Sequence, residues 1–452
     1  MSLMQPLGVG EALDPLTIAD PTRADLPYRK PVALCDPGVT PPPEPVSMTG
    51  SAREAGVEAL LGAFAAGALS PIAVIDELVD AIGATRAGRE AVLRLAPGLA
   101  AMAEDSAERW KSCNARPLEG VPFGVKDIID VEGAVVTSGS LFTGERRAEQ
   151  DASVVARLRA AGAIPFAITA TTEFASGSPH NPRYGAVSNP WDERCWTGGS
   201  STGSGAALAA RLMPMALGTD TGGSIRVPSC WCGATGIKPS RELVSRRGVA
   251  PLSWTLDHVG PMARNGRDLA HVLPYMADIE DAELMKACQA LLADHDIAGL
   301  RIGVPVNWFI DNVDAAVLAN WAQALKILES LGCTLVDLPV MNIARHHQAG
   351  WVVLQSELAV LHGNRLDRAD LFDAGMLHRL KIGLGFTAVD YGRALQGRLE
   401  AQAMFFSAMD NIDVIVTPGI GGEAGRLDTL TVDVNGKPFT FQEVISRNTI
   451  IF

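Results

Sequence analysis

Long hydrophobic runs are missing from this chain. No stretch approaches the roughly eighteen consecutive apolar residues of a membrane-spanning helix. The first thirty positions carry Asp14, Asp20, Arg23 and Asp25 among prolines, where a secretory leader would need an apolar core. Both gaps point to a protein made and kept in the cytoplasm, with no membrane partner. Cysteine is scarce: seven in 452 residues, none in a C-x-x-C pair, which supports neither a disulfide framework nor a structural zinc site. Cys230 and Cys232, the closest two, read as buried free thiols. Positive charge is in deficit as well. The balance of 38 basic against 51 acidic side chains gives −13, which argues against a broad electrostatic grip on nucleic acid while leaving room for a local basic pocket.

What is present is a globular composition, 47% apolar and 20% charged, enough to bury a core. Residues 1–50 hold ten of the 28 prolines; fixed φ and missing N–H groups predict an extended arm there. From 51 onward the length fits one large α/β domain or two to three smaller ones. Helical spacing predicts a helix from Ser51 to Ala68, a second opened by Ser70 as N-cap and Pro71 at the first position, and a third over 97–112. Beyond 118 the texture changes to short apolar runs at 121–125, 163–168 and 213–217, alternating with helical segments at 153–161 and 204–212. That rhythm predicts a sheet covered by helices on both faces. Further strands are expected at 300–304, 334–338 and 414–417, helices over 313–332 and 348–410, and a tight turn at Asn435-Gly436.

Chemistry concentrates between 197 and 229. Seven glycines fall within 198–223, with serines at 200, 201, 204 and 224. Glycine is costly inside regular elements, so the cluster implies loops kept for a reason, either to frame a nucleophile with backbone N–H groups or to serve a purely structural end. A phosphate loop would need a lysine after the glycines, and a hydrolase elbow would need G-x-S-x-G; neither is met. Gly383-Leu-Gly-Phe-Thr-Ala388 matches a dinucleotide fingerprint loosely but follows no evident strand. No histidine lies within 190–250, so a serine here needs another base. A buried lysine can serve, because desolvation disfavours its ammonium form. Lys126, which ends the run Gly120-Val-Pro-Phe-Gly-Val-Lys126, is the best placed, although most lysines are simply solvated.

These stretches, with Thr172-Glu-Phe-Ala175, Asn189-Pro190, Gly198-Gly-Ser-Ser201, Gly218-Thr-Asp-Thr-Gly-Gly-Ser-Ile-Arg-Val-Pro228, Gly236-Ile-Lys-Pro239 and Leu256-Asp-His-Val-Gly-Pro261, closely resemble the amidase signature family. Weaker likeness continues through Gly299-Leu-Arg-Ile-Gly-Val-Pro305, Asp390-Tyr391 and Asp413-Val-Ile-Val-Thr-Pro418, covering about nine-tenths of the chain. The resemblance implies a single large domain with a central mixed sheet. It also implies a Ser–Ser–Lys triad, with Ser224 as acyl-forming nucleophile, Ser200 as bridging serine after a cis Gly199–Ser200 bond, and Lys126 as terminal base. The N–H groups of Thr221, Gly222, Gly223 and Ser224 match the oxyanion hole, with Ser201, Asp220 and Arg226 in support; for the last two, an ordinary ion pair is the competing reading. Ser176, Gly177, His180 and Trp196 are candidates for the substrate pocket, against packing roles for the last two.

The expected activity is hydrolysis of a small-molecule amide with no metal and no organic cofactor, in a chain able to form a homodimer through its N-terminal helices. Two rivals share the motifs: the A subunit of an amidotransferase, which delivers ammonia to a charged tRNA, and a silent binding protein on the same scaffold. Ser253-Trp-Thr-Leu256 looks more like free-standing amidases than like the Ser-Ser-Leu-Asp-Gln pattern of the transferase subunits. Two departures stand out. Ser240-Arg-Glu242 replaces the usual Thr-Tyr-Gly, and the family's closing Gly- and Pro-rich portion has no counterpart after Phe452, so the C-terminal part is expected to be incomplete.

Overall fold

The computed structural model describes residues 50–278, 282–293 and 297–452. All but the last residue of the expected proline-rich arm lies outside them. The helices are α1 (Val57–Ala65), α2 (Pro71–Ala84), α3 (Arg86–Ala91), α4 (Leu99–Lys111), α5 (Ser153–Ala160), α6 (Thr202–Ala209), α7 (Arg226–Cys232), α8 (Gly266–Met276), α9 (Ala282–Leu292), α10 (Ala315–Ser330), α11 (Ile343–His362), α12 (Ala374–Gly383), α13 (Ala388–Ala408) and α14 (Phe441–Ile445). The central sheet takes β1 (Val92–Leu95), β2 (Pro122–Lys126), β3 (Ile164–Thr169), β4 (Met215–Asp220), β5 (Thr235–Gly236) and β6 (His258–Ala263) in the order β1-β3-β2-β4-β6-β5. Its inner strands β3, β2 and β4 run parallel, while β1, β6 and β5 join antiparallel. This is the expected mixed sheet.

The parallel strands are buried along their whole length, which is why they read as apolar runs without alternation. On β4, Met215 and Leu217 join a cluster with Val154 and Leu158 of α5, Leu269 and Val272 of α8, and Leu354 and Leu358 of α11. Ala216 faces the opposite way, toward Leu60 and Phe64 of α1, Val74 and Leu78 of α2, and Ala206 and Leu208 of α6. Helices therefore cover both faces. Burying each large apolar side chain contributes about 1.5–3 kcal/mol, and the two clusters fix the strands that end at the site. A smaller parallel sheet orders β8 (Thr334–Asp337), β7 (Arg301–Val304) and β9 (Val414–Ile415). The hairpin of β10 (Thr431–Val434) and β11 (Lys437–Thr440) turns at Asn435 and Gly436 with φ of 54° and 78°, the pair of positive values a two-residue turn demands.

The α2 start is as its sequence predicts: Ser70 Oγ accepts the Ala73 N–H at 3.2 Å and Pro71 follows. Three expectations are corrected. The helix expected from Ser51 to Ala68 is a 3-10 turn, Ala52–Glu54, followed by α1. The Asp268 carboxylate occupies the space a Cβ at position 56 would need and accepts the Glu58 N–H at 3.1 Å, so a residue distant in sequence sets where α1 begins. The central-sheet strands β1, β5 and β6 are additional to the expected set. Cys230 is exposed while Cys232 is buried, because two residues apart on α7 point to different sides of a helix. Among the described residues no helix is long and apolar enough to cross a membrane.

Candidate active site

β2 and β4 run parallel, so Lys126 and Asp220 close their strands at the same edge of the sheet, where open α/β sheets place their ligands. Lys126 is fully buried. Its Nζ lies 2.7 Å from Ser200 Oγ and 2.8 Å from Thr219 Oγ1. Burial pulls the amine down from 10.5 to about 7, against the attraction of the Asp220 and Asp257 carboxylates. At neutral pH such an amine is free to accept a proton, which a solvated lysine is not.

Ser200 follows a cis peptide bond from Gly199 and is nearly buried, at 3% exposure. A side chain at Gly199 would lie 2.6 Å from Trp196 Cζ2, so only glycine lets the loop pass this close to the indole. α6 then begins at Thr202, and its Gly203 packs against the backbone at Ala170 and Ala91. Ser201 buttresses the neighbouring elements: its Oγ accepts the Thr219 N–H at 3.3 Å, and its N–H donates to the Ser224 carbonyl at 3.3 Å.

The β4–α7 loop carries Thr221 to Ser224. Asp220, fully buried, accepts the N–H groups of Gly223 at 2.8 Å and Ile225 at 3.1 Å, and the Arg226 guanidinium at 2.8 and 3.0 Å. Burial works to raise its carboxyl, but the Arg226 charge and hydrogen bonds hold it well below the usual carboxylate range. The Gly223 N–H is therefore engaged with Asp220. The N–H groups of Thr221, Gly222 and Ser224 have no protein acceptor among the described residues. From the other side, Thr449 Oγ1 donates to the Gly222 carbonyl at 2.5 Å. A side chain at Gly223, where φ is 135°, would meet that same hydroxyl.

Ser200, Ser224 and the loop between β4 and α7 face one cavity of about 500 Å³, counted to its open mouth. No hydrogen bond joins Ser200 to Ser224 in this state; catalytic hydrogen bonds often close only around substrate. Of the pocket candidates, Ser176, Gly177 and Trp196 line the cavity. His180 does not: it is exposed, with Nε2 2.9 Å from the Leu427 carbonyl. Trp196 is also packed, against Trp231 and Phe441. The cavity wall includes Leu252, Trp351, Leu354 and Arg379, none of which the sequence singled out. Arg379 donates to the Ser176 carbonyl and lies 3.2 Å from Ser176 Oγ. It sits in Leu377-His-Arg-Leu-Lys381, where nothing in the local pattern separates it from its charged neighbours. Only the fold turns it inward.

The arrangement can activate a hydroxyl through a second hydroxyl and a neutral amine, beside free backbone donors. The family model described as Amidase matches residues 73–449. Among curated proteins, the chain is 34% identical to the glutamyl-tRNA(Gln) amidotransferase A subunit of Halorhodospira halophila over 394 residues, 80% of this chain and 81% of that one. It is 36% identical to the protein of the same name from Chromohalobacter salexigens over 347 residues, covering 70% and 71%. Among solved structures, it is similar to a vestigial protein complex described as revealing the origins of an s-triazine catabolic enzyme, with a TM-score of 0.81, 30% identity and 88% coverage of each chain. The native peptide amidase of Stenotrophomonas maltophilia aligns with a TM-score of 0.72 at 26% identity, again over 88% of each chain.

Proposed function

The chain belongs to the amidase family, and we propose that within it the protein hydrolyses a small carboxamide through an acyl-serine intermediate. Neutral Lys126 takes a proton from Ser200 as Ser200 takes one from Ser224, whose Oγ attacks the amide carbonyl. The N–H groups of Thr221, Gly222 and Ser224 receive the developing oxyanion. The proton returns along the same path to the leaving nitrogen, which departs as ammonia or amine, and water repeats the cycle to free the acid. The observation that carries this reading is the burial of Lys126 on Ser200, a placement that disfavours an ammonium and so suits a base.

A second reading has its own support. The curated relatives are named as amidotransferase subunits and favour that role over a free-standing hydrolase. It uses the same acyl-serine step on an amide and differs in the fate of the ammonia. The cationic Arg379 in the cavity wall suits an amide that also bears a carboxylate, which glutamine and many small amido acids share. The Trp254-Thr255 pair, in place of the transferase pattern, supports the hydrolase. A screen of small amides of graded size and charge, read by ammonia or amine release from the purified cytoplasmic protein, separates the two. Turnover by the isolated chain supports the hydrolase; ammonia transfer only in a copurified complex with ATP and charged tRNA supports the transferase.

A further inference from the structure

The cradle of N–H donors begins at Thr221, and that residue is held from behind. Its hydroxyl donates to Asp257 Oδ1 at 2.6 Å. The same carboxylate accepts the N–H of Leu252 at 2.9 Å and of Ser253 at 3.0 and 3.1 Å. Leu252 and Thr221 both line the cavity, so one side chain ties a wall of the pocket to the first residue of the cradle. A second carboxylate secures the loop that carries the first. Glu357 of α11, fully buried, accepts Ser253 Oγ at 2.6 Å, the Thr255 N–H at 3.1 Å, Thr255 Oγ1 at 2.7 Å and the Tyr391 hydroxyl at 2.9 Å. On the same helix, Trp351 and Leu354 reach the cavity, Leu354 lying three residues before Glu357 and so near its face.

From this geometry we infer that Asp257 is a positioning residue of the oxyanion cradle. By fixing the Thr221 hydroxyl it sets the direction of the Thr221 and Gly222 N–H groups, and Glu357 anchors the 252–257 loop to the helix that walls the pocket. The reason is the steepness of oxyanion stabilisation with geometry. Donors act only when aimed at the place where charge develops, and removing one typically slows acyl transfer about 10²–10³-fold. A misaimed donor loses part of that. Asp257 makes no hydrogen bond to the nucleophile or the base; its charge acts on Lys126 from a distance, favouring the ammonium, and its hold on the cradle passes through Thr221.

The inference rests on Ser224 being the nucleophile, and the test separates the two. The full chain is treated with an alkyl fluorophosphonate, and the saturable binding constant and maximal labelling rate of Ser224 are measured by intact mass. Thr221→Val and Asp257→Ala are each expected to lower the maximal rate about 10-fold to 100-fold with the binding constant unchanged. The double variant is expected to be no slower than the slower single one, because both remove the same link. Thr221→Ser, which keeps the hydroxyl, is expected within about threefold of wild type. A wild-type rate in Thr221→Val, or effects that multiply in the double variant, overturns the inference. If Asp257→Ala does not fold, the contrast of Thr221→Val with Thr221→Ser decides alone. An unlabelled wild type instead removes the nucleophile, and this inference with it.

Discussion

Lowering the pH should silence Ser224 in a way that reports on Lys126. The proposed base acts only when neutral, and burial brings its pKa from 10.5 to about 7 while Asp220 and Asp257 pull the other way. At that value half of the amine is neutral at pH 7, nearly all at pH 9, and about one part in a hundred at pH 5. A solvated lysine would be neutral in only about one molecule in 3,000 at pH 7. The rate of Ser224 labelling by a fluorophosphonate, followed by intact mass from pH 5 to 10, is therefore expected to rise about tenfold per unit up to pH 7 and level off above 8. A flat profile between pH 5 and 8 would mean that no group with Lys126's environment limits the reaction. An inflection near 10 would mean that the amine is solvated in the reacting state. Either result refutes the reasoning.

The same burial has a cost in stability. Because the folded pKa of Lys126 lies below the unfolded one, the unfolded chain binds more protons between about pH 7 and 10.5, and stability rises with pH across that window. In Lys126→Met the corresponding rise is absent, so urea unfolding should show the variant losing roughly 3 kcal/mol relative to wild type between pH 6 and 9.5; parallel pH dependences would contradict this. Ser224→Ala should abolish amide turnover and leave the thermal midpoint within about a degree, since no hydrogen bond among the described residues depends on its Oγ. Gly203→Ala drives a methyl into the backbone at Ala170 and Ala91, and is expected to lower stability by about 1–3 kcal/mol or more, read from the urea midpoint.

The parts of the fold that were legible in the sequence are those whose signal is local. β2, β3 and β4 announce themselves as buried apolar runs, α2 by its Ser-Pro start, and the β10–β11 turn by Asn435-Gly436. Lys126 stood out because it ends such a run, and the glycines around Ser200 and Ser224 because regular elements exclude them. What escaped was set by distant partners. Asp268 decides where α1 begins, from more than two hundred positions away. Arg379 and Glu357 look like any charged residue on a helix until α12 and α11 are packed against the sheet. His180 shows the reverse: standing where the resembled family varies, it was a candidate for the pocket, but its ring turns outward to the Leu427 carbonyl.

The account depends on a buried amine that, through Ser200, makes Ser224 a nucleophile. The direct measurement is peptide mapping of the folded protein after fluorophosphonate treatment, in wild type and in Lys126→Ala. The expected result is a single phosphonylated residue, Ser224, in wild type and no adduct there in the variant. No labelling of folded wild type, an adduct on another residue, or undiminished labelling of Ser224 in Lys126→Ala would contradict it.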